Sequence, residues 1–512
     1  VTTPSSATAT TLLRGARVLQ GESLFDDGQA RDVLIRGGLI AAIAPAGQIN
    51  EADRIVSLDR HFLCPGLING HQHSHEHFQR GRTENLPLEL WMNLVRTRIP
   101  VVLTPRQIYL RTMIGAIESI RSGCTTLVDD LALGASIDEE RLDSVISAYR
   151  DSGVRALIGF SMMDKPVIDS FPMVDEHVPA PLLAELRAAP RPSVDDYLGL
   201  VRSRVRSGMH PHQQRVGLLL APSAPQRCSE GFLGRIRALA DDLALPVITH
   251  VQETRLQVVT GQILYGAPMV EYLDRIGFLK PATSLIHAVW LNPREVEALA
   301  RTGATAQHNP WSNLLLGSGV MPVRELLEAG VNVSLGSDGS CSTVTVNMLN
   351  VMGTAAGVAK LRGDHPERWL SAREVLTAAT RGGARALGYG DGLGVIRPGA
   401  RADLFACRTD RIAFTPLTDP VRQLVYAERG ASIDFSMIDG TVVLEKGVMT
   451  TIDEAAVLAE IESEYRELEA QFNRAEAATI PVLDAVRNIY FRSLGCTIPS
   501  DTWPARMTDR SA

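Results

Sequence analysis

The segment PGLINGHQHSHEH ends an apolar run with His71 and His73. In an extended strand residues two apart face the same way, so both imidazoles can reach one ion. A histidine-rich turn can also be merely solvated, and this segment alone leaves that open. Three further apolar runs close in residues of the same kind: LPVITHVQET in His250, TSLIHAVWL in His287 and VNVSLGSDGS in Asp338. A single histidine at a strand end is usually a satisfied polar group; four such positions on separate strands point to a shared site. Imidazoles with a carboxylate suit zinc or iron, and such an ion brings the pKa of bound water to about 7. Glu253, three residues after His250, can reach the substrate side of that site as a proton carrier, or be an ordinary surface glutamate.

These residues need a frame that gathers strand ends at one mouth. Between 65 and 392 apolar strand-like runs such as TTLVDD, VRALIGFSMM, VGLLLAP and ATAQHNP alternate with helical stretches such as EGFLGRIRALADDLA. Repeated strand–helix alternation predicts an α/β fold with a closed (β/α)8 TIM barrel, whose strand ends converge at one face. An open doubly wound sheet is the alternative, but no Gly-rich phosphate loop supports it. Residues 11–64 and 393–450 read instead as short strands of period two, and the simplest architecture joins both flanks into one small β-sandwich domain. Residues 1–10 read as a flexible tail and 451–512 as a helix, about Glu454 to Ala477, with an extension.

Of 512 residues, 45% are hydrophobic and 21% charged, enough for a large core. The net charge of -7 is spread along the chain, which argues against nucleic acid or an anionic membrane as partner. The six cysteines stand far apart without a CxxC pair, against a disulfide framework or a thiolate zinc site. The opening holds no signal-like apolar run, and no stretch reaches about 18 uninterrupted apolar residues, so a cytoplasmic location is expected.

The series PGLINGHQH, SGCTTLVDD, APSAPQRCS, HVQET, HAVWL, HNPWSNLLLGSG, GVNVSLGSDG and GVIRPGARADL resembles the amidohydrolase superfamily. The closer likeness is to the branch of aminotriazine hydrolases, guanine deaminase and S-adenosylhomocysteine deaminase. The resemblance implies that His71, His73, His250 and Asp338 bind one divalent metal, zinc before iron. Glu253 would then carry protons, His287 would steady the tetrahedral intermediate, and Asp338 would also take the proton released when hydroxide attacks. It implies hydrolytic deamination of an amino-substituted nitrogen heterocycle or cyclic amidine, and a homodimer or higher homo-oligomer. The same machinery could expel chloride, an alkylamine or a ring amide. A non-catalytic assembly protein is a third reading, opposed by the full set of ligands. A two-metal site would need a bridging lysine, and Lys165 lies beyond its strand, which favours one metal.

The chain departs from those relatives at Glu76, where many have a glutamine; a glutamine stands instead at Gln79. A carboxylate there accepts hydrogen bonds and favours a donor-rich edge. Arg227 is a candidate anion clamp or a surface salt bridge, and Trp311 could stack on a flat ring or pack under its loop. His75 and His77 line the pocket or sit solvated, and His308 and Asn313 are expected to order a loop. The Pro-rich stretch 165–195 reads as a lid or a surface excursion.

Overall fold

Eight short strands with helices between them form the centre of the computed structural model. They are β1 (Leu67–Gln72), β2 (Cys124–Leu131), β3 (Arg155–Met162), β4 (Val216–Leu218, resumed at Ala221–Pro222), β5 (Val247–Val251), β6 (Thr283–His287), β7 (Thr305–His308) and β8 (Asn332–Leu335). The structure describes residues 9–24, 26–132, 137–363 and 365–506, so most of the expected N-terminal tail lies outside the described residues. Neighbouring strands run parallel within β1–β4 and within β5–β8. One seam is bridged where the Ile248 N–H donates to the Leu220 carbonyl at 2.9 Å. At the other, the Asp338 N–H donates to the His71 carbonyl at 2.9 Å and the Ser337 N–H to Asn69 Oδ1 at 2.9 Å. The result is the expected TIM barrel.

Strand periodicity explains what fills the barrel and what crowns it. Ile68, Val128, Leu157, Leu219, Ile248 and Ile286 form one buried cluster with Ala384, Leu387 and Leu393. A side chain two residues further along a strand shares the same face. Val128 therefore leads to Asp130, Leu157 to Ser161 by way of Gly159, and Ile248 to His250. The β1–β2 pairing shifts register between Asn69 and Gln72, and a slip of one residue exchanges the faces of a strand. Phase is thus changed between Ile68 and His71. Gly70 sits in that stretch because a Cβ there would lie 2.3 Å from Gln307 Oε1.

Strands from both flanks of the chain pair into one branched sheet, nine-stranded among the described residues. The two flanks meet where Leu404–Arg408 runs antiparallel to His61–Pro65. The branch arises because Thr10–Val18 pairs with Arg54–Ser57 along one half and with His61–Pro65 along the other. Arg155, fully buried at the start of β3, ties barrel to sheet: its guanidinium donates to Asp403 at 2.8 and 3.0 Å and to Asp439 at 2.9 Å.

At the opposite, strand-end face a separate apolar cluster joins three segments. The helix Leu88–Val95 supplies Leu88, Trp91 and Met92, the stretch 165–195 supplies Ile168, Phe171 and Leu183, and the helix Ile480–Leu494 supplies Val482, Val486 and Ile489. The Pro-rich stretch is thus packed into the wall above the barrel, not a free surface excursion. The long helix runs Glu454–Ala477, and a second helix follows where the sequence had suggested no element. No helix among the described residues is long and apolar enough to cross a membrane.

Candidate active site

At the strand-end mouth His71, His73, His250, His287 and Asp338 stand together, all buried but His250, which is partly exposed. Asp338 Oδ1 lies 3.4 Å from His71 Nε2 and 3.3 Å from His73 Nε2, and Oδ2 lies 3.8 Å from His287 Nε2. The His71 ring centroid is 4.6 Å from that of His73 and 4.9 Å from that of His250. Ligating atoms of His71, His73, Asp130 and His250 fall within 4.8 Å of one another, and so do those of His71, His287 and Asp338.

Each imidazole but one is oriented through its outer nitrogen. His73 Nδ1 meets the Asp130 carbonyl at 2.7 Å, His250 Nδ1 the Ser223 carbonyl at 2.8 Å, and His287 Nδ1 the Asn313 Oδ1 at 2.9 Å. A carbonyl oxygen can only accept, so Nδ1 of His73 and of His250 carries a proton and each Nε2 is left facing the cluster. His71 is the exception: buried completely, it hydrogen-bonds through neither ring nitrogen. An orphaned imidazole beside two pre-oriented ones and a carboxylate fits a divalent cation.

The backbone is strained at the same place. His287 and Asp338 adopt φ of 74° and 70°, and Gln252 and Ala288 are also left-handed. Each such non-glycine position costs about 1–3 kcal/mol, which the closed ring of strands must hold. The Gly339 N–H donates to Asp338 Oδ1 at 2.8 Å and fixes the carboxylate.

Burial dominates the electrostatics. It lowers His71 to about 4 and His250 well below the usual histidine range, so both are neutral donors. Burial also works against protonation of His73, yet the carboxylates of Asp338, Glu76 and Asp130 carry it up to about 10. That is a mark of surroundings that call for positive charge. Glu253 is buried, with Oε2 at 3.5 Å from His287 Nε2 and Oε1 accepting from Ser318 Oγ at 3.2 Å. Burial pushes its carboxyl up to about 7.

Glu76 is buried at the rim, accepting from the Cys341 N–H at 3.3 Å and lying 4.0 Å from His75 Nε2; burial raises it to about 7. Arg227 is buried, and no ion pair holds it among the described residues. Gln79 ends the 3-10 turn Ser74–Gln79, half-buried, and makes no hydrogen bond to the cluster among the described residues. Trp311 donates its indole N–H to the Thr343 carbonyl at 2.7 Å, which anchors a loop. His77 is enclosed and hydrogen-bonds Ser340 Oγ at 2.7 Å, so it is not solvated. Asn313 goes beyond ordering a loop, because it sets the tautomer of His287. Lys165 is held through its N–H to the Arg227 carbonyl.

Sequence reasoning passed over Asp130, Arg96, Glu89 and Ser318. Asp130 had a signal: it lies two residues after Val128, on the barrel-facing side of β2. Glu89 accepts from Thr254 Oγ1 at 2.5 Å, and its other oxygen is buried without a hydrogen bond. No pattern in LPLELWM announces that placement.

Residues 62–443 match the family model described as Amidohydrolase family. A 5'-deoxyadenosine deaminase of Methanothermobacter thermautotrophicus is 34% identical over 88% of this chain and 98% of its own length. A 5-methylthioadenosine/S-adenosylhomocysteine deaminase of Thermococcus kodakarensis is 33% identical over 85% of this chain and 93% of its own. The chain belongs to the amidohydrolase family. Among solved structures, an adenosine deaminase from Xanthomonas campestris with bound zinc aligns with a TM-score of 0.78. It is 28% identical and covers 91% of this chain and 100% of its own. An atrazine chlorohydrolase from Arthrobacter aurescens complexed with zinc aligns at 0.79, 26% identical, over 89% of this chain and 100% of its own. As expected from the sequence, this amidohydrolase is a metal-dependent hydrolytic deaminase acting on an amino-substituted nitrogen heterocycle.

Proposed function

We propose that the substrate is an aminopurine of the adenine nucleoside class, and that one zinc ion is held by His71, His73, His250 and Asp338. The substrate class draws support from the two deaminases named above. The observation that carries the reading is the buried pair of Glu253 Oε2 and His287 Nε2, 3.5 Å apart beside Asp338. When bound, the ion supplies the Lewis acidity that makes water nucleophilic near neutral pH. Glu253 gives its proton to the ring nitrogen as water adds at the C–NH2 carbon; as the carbonyl forms, its carboxylate takes the hydroxyl proton and hands it to the departing amine, and the proton that Asp338 takes from water then restores Glu253. Its high carboxyl pKa suits a group that must hold a proton at neutral pH. His287, held by Asn313, hydrogen-bonds the incoming oxygen and steadies the tetrahedral carbon. Asp338 takes the proton that water releases. Glu76 and Arg227 contact the substrate at the rim, and the geometry gives Gln79 and Trp311 no such support. Chloride needs no proton on leaving, so an acid as buried as Glu253 favours amine loss. A homo-oligomer belongs to the same proposal.

The test is ammonia release by metal-quantified protein across aminated purines, purine nucleosides, pterins, pyrimidines and triazines. Ammonia from a 6-aminopurine nucleoside at one metal per chain supports the reading. Turnover confined to another ring, or to chloride or alkylamine loss, overturns the substrate assignment.

A further inference from the structure

Ser318 is the only side chain among the described residues that donates a hydrogen bond to the Glu253 carboxyl, Oγ to Oε1 at 3.2 Å. It is buried, and its main chain is gripped as well. Its N–H donates to the Asn313 carbonyl at 2.8 Å, and its carbonyl accepts from the Trp290 indole N–H at 2.9 Å. The loop after β7 that carries Ser318 is covered in turn by a segment from far along the chain. Residues 496–506 follow the helix Ile480–Leu494 and run as an irregular strap over three successive strand-end loops.

Each of those loops meets a main-chain group of the strap. After β5, Arg255 donates to the Cys496 carbonyl at 2.8 Å, two residues past Glu253. After β6, the Leu291 carbonyl accepts from the Trp503 N–H at 2.9 Å, one residue past Trp290. After β7, the Val320 N–H donates to the Ala505 carbonyl at 2.9 Å, two residues past Ser318. The Arg362 guanidinium staples this last pair, donating to the carbonyls of Val320 and Pro504, both at 2.9 Å. Ala505 is 4% exposed and packs with Val258, Val289 and Trp290 in a buried cluster. Gly319 permits the close approach: its φ is 127°, and a Cβ there would lie 2.9 Å from Ala505.

A loop of irregular backbone opens at low free energy unless other segments hold it. A proton donor tolerates little of that motion, since a misplacement of about 1 Å can cost about a hundredfold in rate. We propose that Ser318 is a positioning residue for Glu253, and that the strap of residues 496–506 keeps it in place. The inference rests on the role given to Glu253 above and adds what fixes that carboxyl. The strap locks the β7 loop, the loop holds Ser318, and Ser318 Oγ fixes Oε1 so that Oε2 stays beside His287 Nε2.

The experiment compares the metal-loaded full chain with Ser318→Ala, Ala505→Glu, Arg362→Gln and the double variant Ser318→Ala/Ala505→Glu. Ala505→Glu sets a charge against Trp290 and lifts the strap. Arg362→Gln removes the staple without entering the buried cluster, and serves should the first strap variant fold poorly. Two quantities are read: kcat and KM for ammonia release from the best substrate of the panel above, and hydrogen–deuterium exchange over residues 314–322, which needs no substrate. Ser318→Ala should lower kcat about tenfold and leave KM within about twofold of the parent. The strap variants should lower kcat similarly and speed exchange at the Ser318 and Val320 amides, with metal content retained. In the double variant the loss should match that of Ser318→Ala alone, because the strap acts through that hydroxyl. Faster exchange with parental kcat would make the strap a stabilising cover only and overturn the inference. Losses that multiply in the double variant, or exchange unchanged in both strap variants, overturn it too. Glu253→Gln tells the two readings apart. Parental turnover in that variant sinks the role of Glu253, whereas turnover lost there but parental in Ser318→Ala sinks this inference alone. No ammonia from any panel member is a failure of the deaminase reading, and exchange then decides the strap's hold by itself.

Discussion

Replacing Glu253 by glutamine separates chemistry from architecture at a single atom. The amide keeps the shape of the carboxylate, can still meet Ser318 Oγ, and leaves the Glu253 N–H donating to Gln257 Oε1 at 2.9 Å. What it loses is the capacity to give and take a proton 3.5 Å from His287 Nε2. General acid–base help is worth about 10²–10⁴ in rate, which is about 2.7–5.4 kcal/mol of barrier. Stability should move the other way, if at all. Burial already raises this carboxyl to about 7, so the ionised form is the disfavoured one and a neutral amide removes that burden. The expected result is therefore turnover down at least about a hundredfold, with metal content and thermal midpoint equal to or above the parent. Single-turnover ammonia release, elemental analysis and thermal unfolding check the three parts. A variant within a few-fold of parental turnover would remove Glu253 from the proton path. Loss of metal would place it among the ligands instead.

Asp338→Ala should lose tight metal as well as activity, because no other carboxylate among the described residues joins His71, His73 and His287 at 3.3–3.8 Å; full occupancy by elemental analysis would overturn its assignment as a ligand. Arg155→Met should cost about 3–5 kcal/mol in urea unfolding, since it strands the buried Asp403 carboxylate, while active-site chemistry in the folded fraction stays unchanged; a loss under about 1 kcal/mol refutes that role. His61 is desolvated, yet Asp434 at 2.8 Å raises its pKa above the usual histidine value of about 6.5. Folding therefore gains from its protonation below that pH and loses the gain as pH rises through the elevated value. The difference in thermal midpoint between the parent and Asp434→Asn should be fully present near pH 5.5 and fade toward alkaline pH. A pH-independent difference would show that the pair acts without charge.

What was legible in the sequence was whatever repeats or ends an apolar run. The strand–helix alternation specifies the barrel because each unit buries one sheet face under one helix. His71, His73, His250, His287 and Asp338 were visible because strand ends of a barrel share one mouth. Asp130 escaped because it sits inside a strand-like run, TTLVDD, and its neighbour Asp129 is turned to Tyr149 and Ser74. Only the phase set by Val128 tells the two aspartates apart. Glu89, Arg96 and the wall from Ile480–Leu494 were beyond reach for a different reason. Their positions depend on packing between segments nearly 400 residues apart, which no local period encodes.

The same packing argument bears on how the site stays assembled. Left-handed φ at Gln252, His287, Ala288 and Asp338 concentrates strain at the mouth, and His71 and His250, which burial holds neutral, leave the carboxylates gathered there short of positive charge until a cation arrives. Neither is relieved locally. The opposing forces lie at the other end of the strands, where Ile68, Val128, Leu157, Ile248 and Ile286 pack together and Arg155 bolts β3 to Asp403. The flanking sheet, assembled from both ends of the chain, is on this view a clamp on the barrel's base. Loosening it at Arg155 should leave metal affinity intact at low temperature, then bring metal loss and unfolding together on heating. Metal release well before the unfolding transition would mean that the mouth is held by its own loops, and that the clamp serves stability alone.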